Sequence, residues 1–268
     1  MPTIRMARHV VVAWSLALAW AAAVAAQDTA QLVLATGSPT PCVWSPDCST
    51  PGVKLILESS KTKLMGREFL HYGLAASGLP AGKLYTFWLY PFSEDHPIPL
   101  VTGFTGDSVG GLSCADSAPH SQGAAQERRS WCTKWDGLFT SSSTFVPSEP
   151  YRAALISTDD SVRAYAIEFP APVAVTTGPC HLQLELLSRD KSAFKVVGTG
   201  FVAGEEARVV SRSGKEEIQA TRQIPATGTF WVLLAPALRG KKGGKASFSV
   251  TTTACSPVLE YAWGKDLK

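Results

Sequence analysis

Apolar residues in this chain fall in short runs separated by Gly, Pro and Ser, a texture of strands and turns rather than of long helices. Leu84, Thr86, Trp88 and Tyr90 alternate with Tyr85, Phe87 and Leu89, so both faces of the segment are apolar. That pattern predicts a strand covered on both sides, at the centre of a first core. Runs at Val53 to Leu57, Phe69 to Ala75, Tyr151 to Ile156 and Val162 to Phe169 supply its neighbours. Farther on, Leu182, Leu184 and Leu186 alternate with His181, Gln183 and Glu185, as in a strand with one face in water. Phe194 to Val197, Ala207 to Ser211, Ile218 to Ile224, Thr229 to Leu234, Ala246 to Thr252 and Val258 to Trp263 continue the series. Seven short strands in about 90 residues is the count of an immunoglobulin-like sandwich.

Between the two series the texture changes twice. Residues 106–149 are rich in Ser, Gly, Ala and charge, and read as a long insertion with one or two helical turns in Ala124 to Trp135. Thr176, Thr177, Gly178 and Pro179 form a turn-rich break that reads as a linker. The expected fold is all-β, with a sandwich over residues 27–176 carrying the insertion, an immunoglobulin-like sandwich over 180–263, and a tail over 264–268.

Residues 1–26 stand apart. Arg5, Arg8 and His9 precede an uncharged run from Val10 to Ala26 that ends in small residues, the order of a secretory signal peptide with cleavage before Gln27. The competing reading, an uncleaved anchor, would expect a basic stop where this chain has Val24 to Ala26. Export through this signal predicts a secreted or periplasmic protein with no membrane span after cleavage.

Removing the signal takes two arginines and no acid from the 25 basic and 22 acidic residues, which leaves a net charge of +1. That balance offers little pull towards nucleic acid or anionic membrane. It divides unevenly: 10 basic and 14 acidic residues lie between Gln27 and Gly178, and 13 and 8 beyond. There is no Asn, so N-linked glycosylation is excluded, and a bacterial source fits better than a eukaryotic surface glycoprotein.

Cys42, Cys48, Cys114, Cys132, Cys180 and Cys255 all lie after the signal. An even number in an exported chain predicts three disulfides, with fifteen connectivities open. Sequential pairing, Cys42–Cys48, Cys114–Cys132 and Cys180–Cys255, keeps each bridge within one expected unit. Closing those loops corresponds to about 2.4, 3.2 and 4.5 kcal/mol in the chain-entropy model. A zinc site at Cys42 and Cys48 is disfavoured by their spacing and by an oxidising compartment.

Two local patterns carry a resemblance. Leu79-Pro80-Ala81-Gly82-Lys83-Leu84-Tyr85 resembles the turn into a tyrosine corner of fibronectin type III and related immunoglobulin-like domains, with Leu six residues before Tyr. Gly198-Thr199-Gly200-Phe201-Val202-Ala203-Gly204-Glu205-Glu206 is similar to a turn in immunoglobulin-like modules of bacterial exported proteins. The resemblance covers fewer than twenty residues and implies a fold family; function must be argued from sites.

The chemistry is sparse. The same glycines miss the dinucleotide fingerprint, because Gly204 follows Gly200 by four residues and the next segment is strand-like. No P-loop, zinc-protease, nucleophile-elbow or EF-hand motif occurs, and no metal or cofactor is expected. Glu94, Asp95 and His96, on the loop after the central strand, are the candidate catalytic residues: two carboxylates beside an imidazole could act as general acid and base. Neighbouring prolines argue instead for a rigid exposed turn. Asp159 and Asp160 read as a hairpin turn, and Arg239 to Lys245 as a solvated hairpin. Trp131 and Trp135 flank Cys132 and would share a face of a helical turn. Such a pair could stack on a sugar or anchor a protein partner, or cover a small core beneath the bridge. The expectation is therefore an exported, non-catalytic binding or structural module recognising a protein or glycan, with Trp131 and Trp135 as binding residues. A hydrolase using Glu94, Asp95 and His96 is the alternative.

Overall fold

The computed structural model describes residues 32, 34–35, 44–64, 67–92, 94, 96–115, 130–131, 138–141 and 145–267. Strands dominate. The helical element among the described residues is a single 3-10 turn, Pro46–Cys48. No described helix is long and apolar enough to cross a membrane.

The first nine strands are β1 (Lys54–Leu64), β2 (Arg67–Ser77), β3 (Leu84–Tyr90), β4 (Ile98–Gly106), β5 (Leu112–Cys114), β6 (Ser130–Trp131), β7 (Leu138–Ser141), β8 (Tyr151–Ser157) and β9 (Arg163–Glu168). They form one sheet in the order β1-β2-β7 and a second in the order β5-β4-β3-β8-β9, with β6 parallel to β4. The chain crosses between the sheets after β2, returns for β7 and crosses again to β8, an immunoglobulin-type order. Leu55, Leu57 and Tyr72 of the first sheet meet Phe87, Leu89, Val101 and Leu155 of the second in one core.

Strand β3 shows how the alternation works. Tyr85, Phe87 and Leu89 point into that core, while Trp88 and Tyr90 face outward and are covered by Trp44, Tyr165 and Ile156. Trp44 meets Tyr90 and Tyr165 edge to face, each at 5.6 Å. Its segment is fastened along the edge of β9: Thr50 N–H donates to the Arg163 carbonyl at 2.7 Å, and Ser49 Oγ accepts from Tyr165 N–H at 3.0 Å. An edge that could template aggregation is thereby closed.

The remaining strands are β10 (Val173–Thr177), β11 (Cys180–Leu186), β12 (Phe194–Thr199), β13 (Glu206–Ser213), β14 (Glu216–Gln223), β15 (Phe230–Leu234), β16 (Gly243–Thr251) and β17 (Val258–Gly264). They form sheets β10-β11-β12-β15 and β14-β13-β16-β17 around a second core that includes Leu184, Phe194, Phe230, Phe248 and Trp263. All seven strands expected here are present. Cys180 and Cys255 are disulfide-bonded and join the start of β11 to the turn before β17.

Several boundaries differ from the pattern-based reading. Residues 106–149 are not a pure insertion, because β7 pairs with β2 and supplies the third strand of the first sheet. Trp131 lies in strand β6 beside Thr102 rather than on a helical turn, the neighbouring β4 backbone providing partners that a lone turn would lack. The Thr176 to Pro179 break is the turn of the β10–β11 hairpin, so it closes a sheet instead of linking two units. The basic run from Arg239 connects β15 to β16 across the two sheets, and Gly243 to Lys245 already belong to β16. The chain after Trp263 is no loose tail: Leu267 is buried and its carbonyl accepts from Lys191 Nζ at 2.8 Å. Leu32, assigned by pattern to the first unit, is buried in the second core.

Both quoted resemblances are realised as turns. Tyr85 Oη donates to the Pro80 carbonyl at 3.3 Å on the crossing from β2 to β3. Gly198 to Glu206 turns from β12 into β13 and buries Phe201 against Phe230. Gly200 has φ +76°, and a Cβ there would stand 2.0 Å from the Pro179 carbonyl oxygen.

Candidate functional site

The loop after β3 runs towards the C-terminal sheets, and there a cleft of about 210 Å3 opens. Tyr90, Pro91, Phe92 and Glu94 line it from the loop, Arg152 from β8, and Leu187 and Arg189 from the chain after β11. Phe92 and Val146 pack against the C-terminal core, so both sheet pairs build the walls. Arg189 Nε donates to the Phe92 carbonyl at 3.1 Å, and Leu186 N–H to the Ser148 carbonyl at 2.8 Å.

Beneath the cleft lies the one charged side chain that is buried among the described residues, Glu185. Its position on β11 is an outward one, opposite Lys195 of β12. The N-terminal sheets cover that face. Arg152 donates to Glu185 Oε1 at 2.6 Å, and the Lys195 ammonium pairs with Oε2. A lone carboxylate out of water would be strongly destabilising, and two cations on its two oxygens offset that cost. The network therefore ties β8 to β11 and β12.

The candidate catalytic residues do not form such a constellation. Glu94 sits exposed at the rim of the cleft, His96 is exposed outside its lining, and Asp95 lies outside the described residues. Among the described residues, no group of three or more His, Cys, Asp or Glu is placed to hold a metal ion. Of the tryptophan pair, Trp131 contributes its backbone to β6 and Trp135 lies outside the described residues. Cys114 is disulfide-bonded, while Cys132 and Cys42 lie outside the described residues, so of the three expected bridges Cys180–Cys255 is seen with both partners.

Elsewhere the titratable groups serve turns and cores. Asp159, in the β8–β9 turn, is paired with Lys83 and accepts from Ser157 Oγ at 2.6 Å and Ser161 Oγ at 2.8 Å. These bonds, that from Lys83 foremost, hold its carboxyl well below the usual range. Glu205 is likewise lowered, chiefly by the Thr253 hydroxyl and its backbone N–H. Burial raises the phenols of Tyr72, Tyr151 and Tyr261, and the first two stack at 5.3 Å.

Sequence reasoning passed over Arg152, Glu185 and Lys195. Alternation put Glu185 on a water-facing side, and the one available signal was its place between Leu184 and Leu186. Leu32 to Ala35 was missed because the apolar stretch is short and stands only five residues beyond the apolar run that ends at Ala26.

No family model matches the chain, and no curated protein matches it. Among solved structures, the chain is similar to the FN1–FN3 domains of chicken CNTN1, at 12% identity over 78% of this chain, with a TM-score of 0.23. It is also similar to a structure bearing on host cell surface retention of a 1.5-MDa bacterial ice-binding adhesin, at 9% identity over 80% of this chain, with a TM-score of 0.21. The match spans 65% of each of those chains. Scores of this size carry no argument, and the fold assignment rests on the sheet order itself.

Proposed function

We propose that this is an exported, bacterial, non-catalytic binding or structural protein of the cell envelope or extracellular space, built of two immunoglobulin-like units. It engages a protein or glycan through its loops, with Trp131 and Trp135 as the aromatic contacts. The observation that carries this reading is the use made of buried charge. Glu185 is tied on both oxygens, to Arg152 from the other sheet pair and to Lys195 on the neighbouring strand, whereas Glu94 and His96 are exposed and share no partner among the described residues. A general acid and base working at neutral pH needs burial or a charged neighbour to separate two pKa values. Loops carried on a rigid sandwich are where recognition concentrates.

The test uses the chain recovered after export, which should begin within two residues of Gln27, labelled and titrated onto purified envelope fractions and a glycan panel. Saturable binding should survive Glu94→Gln combined with His96→Ala. Changing Trp131 and Trp135 to Ala should weaken it about 30-fold, the scale of a 2 kcal/mol hot spot, with little change in Tm. Hydrolysis of an ester, peptide or glycoside substrate that disappears in Glu94→Gln would overturn the reading.

A further inference from the structure

The outward face of the sheet β14-β13-β16-β17 carries a cleft of about 480 Å3, more than twice the one beside Glu94. Alternation builds it. Ala246 and Tyr261 turn into the second core, so Lys245 and Ser247 beside the one, and Glu260 and Ala262 beside the other, face outward. The register sets Arg212 of β13 against Ser247, Ser247 against Glu260, and Lys245 against Ala262. Ser247 and Ala262 are short and make a low floor. Arg212 and Lys245 rise from it on one diagonal, a spacing of roughly 7 to 8 Å across neighbouring strands. Glu217 accepts from Arg212 Nε at 2.6 Å, which steadies the guanidinium and leaves its Nη edge for a further acceptor.

The fold brings the basic run from Arg239 to this cleft. Leu238 packs against Gly214, which lines the cleft at the β13–β14 turn: a Cβ on Gly214 would stand 2.8 Å from Leu238 Cδ1. Lys265 N–H donates to the Lys242 carbonyl at 3.0 Å, where β16 and β17 meet. Residues 212–217, 239–245 and 260–266, far apart in sequence, together carry seven cations against four carboxylates. All seven cations are exposed. A surplus of one sign around a concave floor concentrates counter-ions there, so the cleft draws anions. Its lining narrows their kind. The outward side chains include no aromatic ring, whereas single-stranded nucleic acid is held by stacking bases on such rings. Glu260 repels an unbroken row of phosphates but accepts from hydroxyls, and Ser247 beside it both donates and accepts. The pair suits a polymer that carries hydroxyls between its acid groups.

We propose that this cleft binds an acidic glycan, with Arg212 and Lys245 on its sulfate or carboxylate groups and Ser247 and Glu260 on its hydroxyls. The site is separate from Trp131 and Trp135. Titrating the labelled full chain at low salt with dextran sulfate, polygalacturonate, neutral dextran and a single-stranded thymidine oligonucleotide tests it. At least one of the two acidic polymers should bind, the comparison showing which acid group the cleft takes. Neutral dextran should not bind, and the oligonucleotide should bind at least tenfold more weakly. Arg212→Gln combined with Lys245→Gln should weaken glycan binding at least tenfold with Tm unchanged, since both side chains are exposed. Lys54→Gln, on β1 of the first sheet, should leave it unaltered, as should Trp131→Ala with Trp135→Ala. Binding of neither acidic polymer, oligonucleotide binding as tight as theirs, or an equal loss in Lys54→Gln or in the tryptophan variant would overturn the proposal. Should the double variant not fold, the four polymers on the unaltered chain decide.

Discussion

Glycine 200 ends β12 with φ +76° at a point where the backbone comes within van der Waals range of Pro179. An Ala there meets the left-handed penalty and a carbonyl oxygen 2.0 Å from its Cβ. Gly200→Ala should therefore destabilise the protein by at least about 2 kcal/mol, read from the urea midpoint. Asp159 makes the opposite kind of contribution. Its carboxyl is held ionised in the fold by Lys83, Ser157 and Ser161, so it titrates lower there than in the unfolded chain. Between those two values the unfolded state binds more protons, and stability falls as pH drops through the acid range below about 4. Asp159→Asn should flatten that acid limb and lower stability near neutrality by the same amount, which is small because the group is exposed. Melting curves of both proteins from neutral to strongly acid pH check the sign.

At the scale of elements, alternation was a guide to most strands that bury a face, though β4, which buries Val101 and Phe104, was not read from it. The two-sided pattern of Leu84 to Tyr90 announced cover on both sides, and Trp44 with Tyr165 provides the outer one. The strands from Cys180 to Gly264 other than β14, whose residues stay exposed or half-buried, were legible for the same reason. What could not be read were elements defined by their partners. β7 is four residues long in polar surroundings, and it becomes a strand because β2 offers an unpaired edge. β10 and its turn resembled a linker since residues 173–177 bury little, while their hydrogen bonds go to β11. Glu185 illustrates the same limit at the site: its alternation is that of a surface residue, and Arg152, 33 positions away, together with Lys195 of β12, gives it a buried role. The Cys180–Cys255 bridge also spans elements, linking β11 to the β16–β17 turn across 75 positions. Replacing both cysteines with Ala should cost up to about 4.5 kcal/mol, with calorimetric Tm falling accordingly.

For the whole molecule, buried charge joins the sheets of the first core to those of the second, and the proposed function leaves the loops for recognition. Arg152 and Lys195 keep 21% and 17% of their side-chain surface in water. Removing the charge of Glu185 should then cost about 2 kcal/mol, below the 3 to 5 expected when a fully buried pair loses a partner. The effect should fall on coupling as much as on stability, since Arg152 belongs to one core and Glu185 to the other sheet pair. Differential scanning calorimetry of the full chain and of Glu185→Gln tests this most directly. The account predicts a single cooperative transition in the unaltered protein and two separated transitions in the variant. Two transitions already present in the unaltered chain, and unmoved by Glu185→Gln, would contradict it.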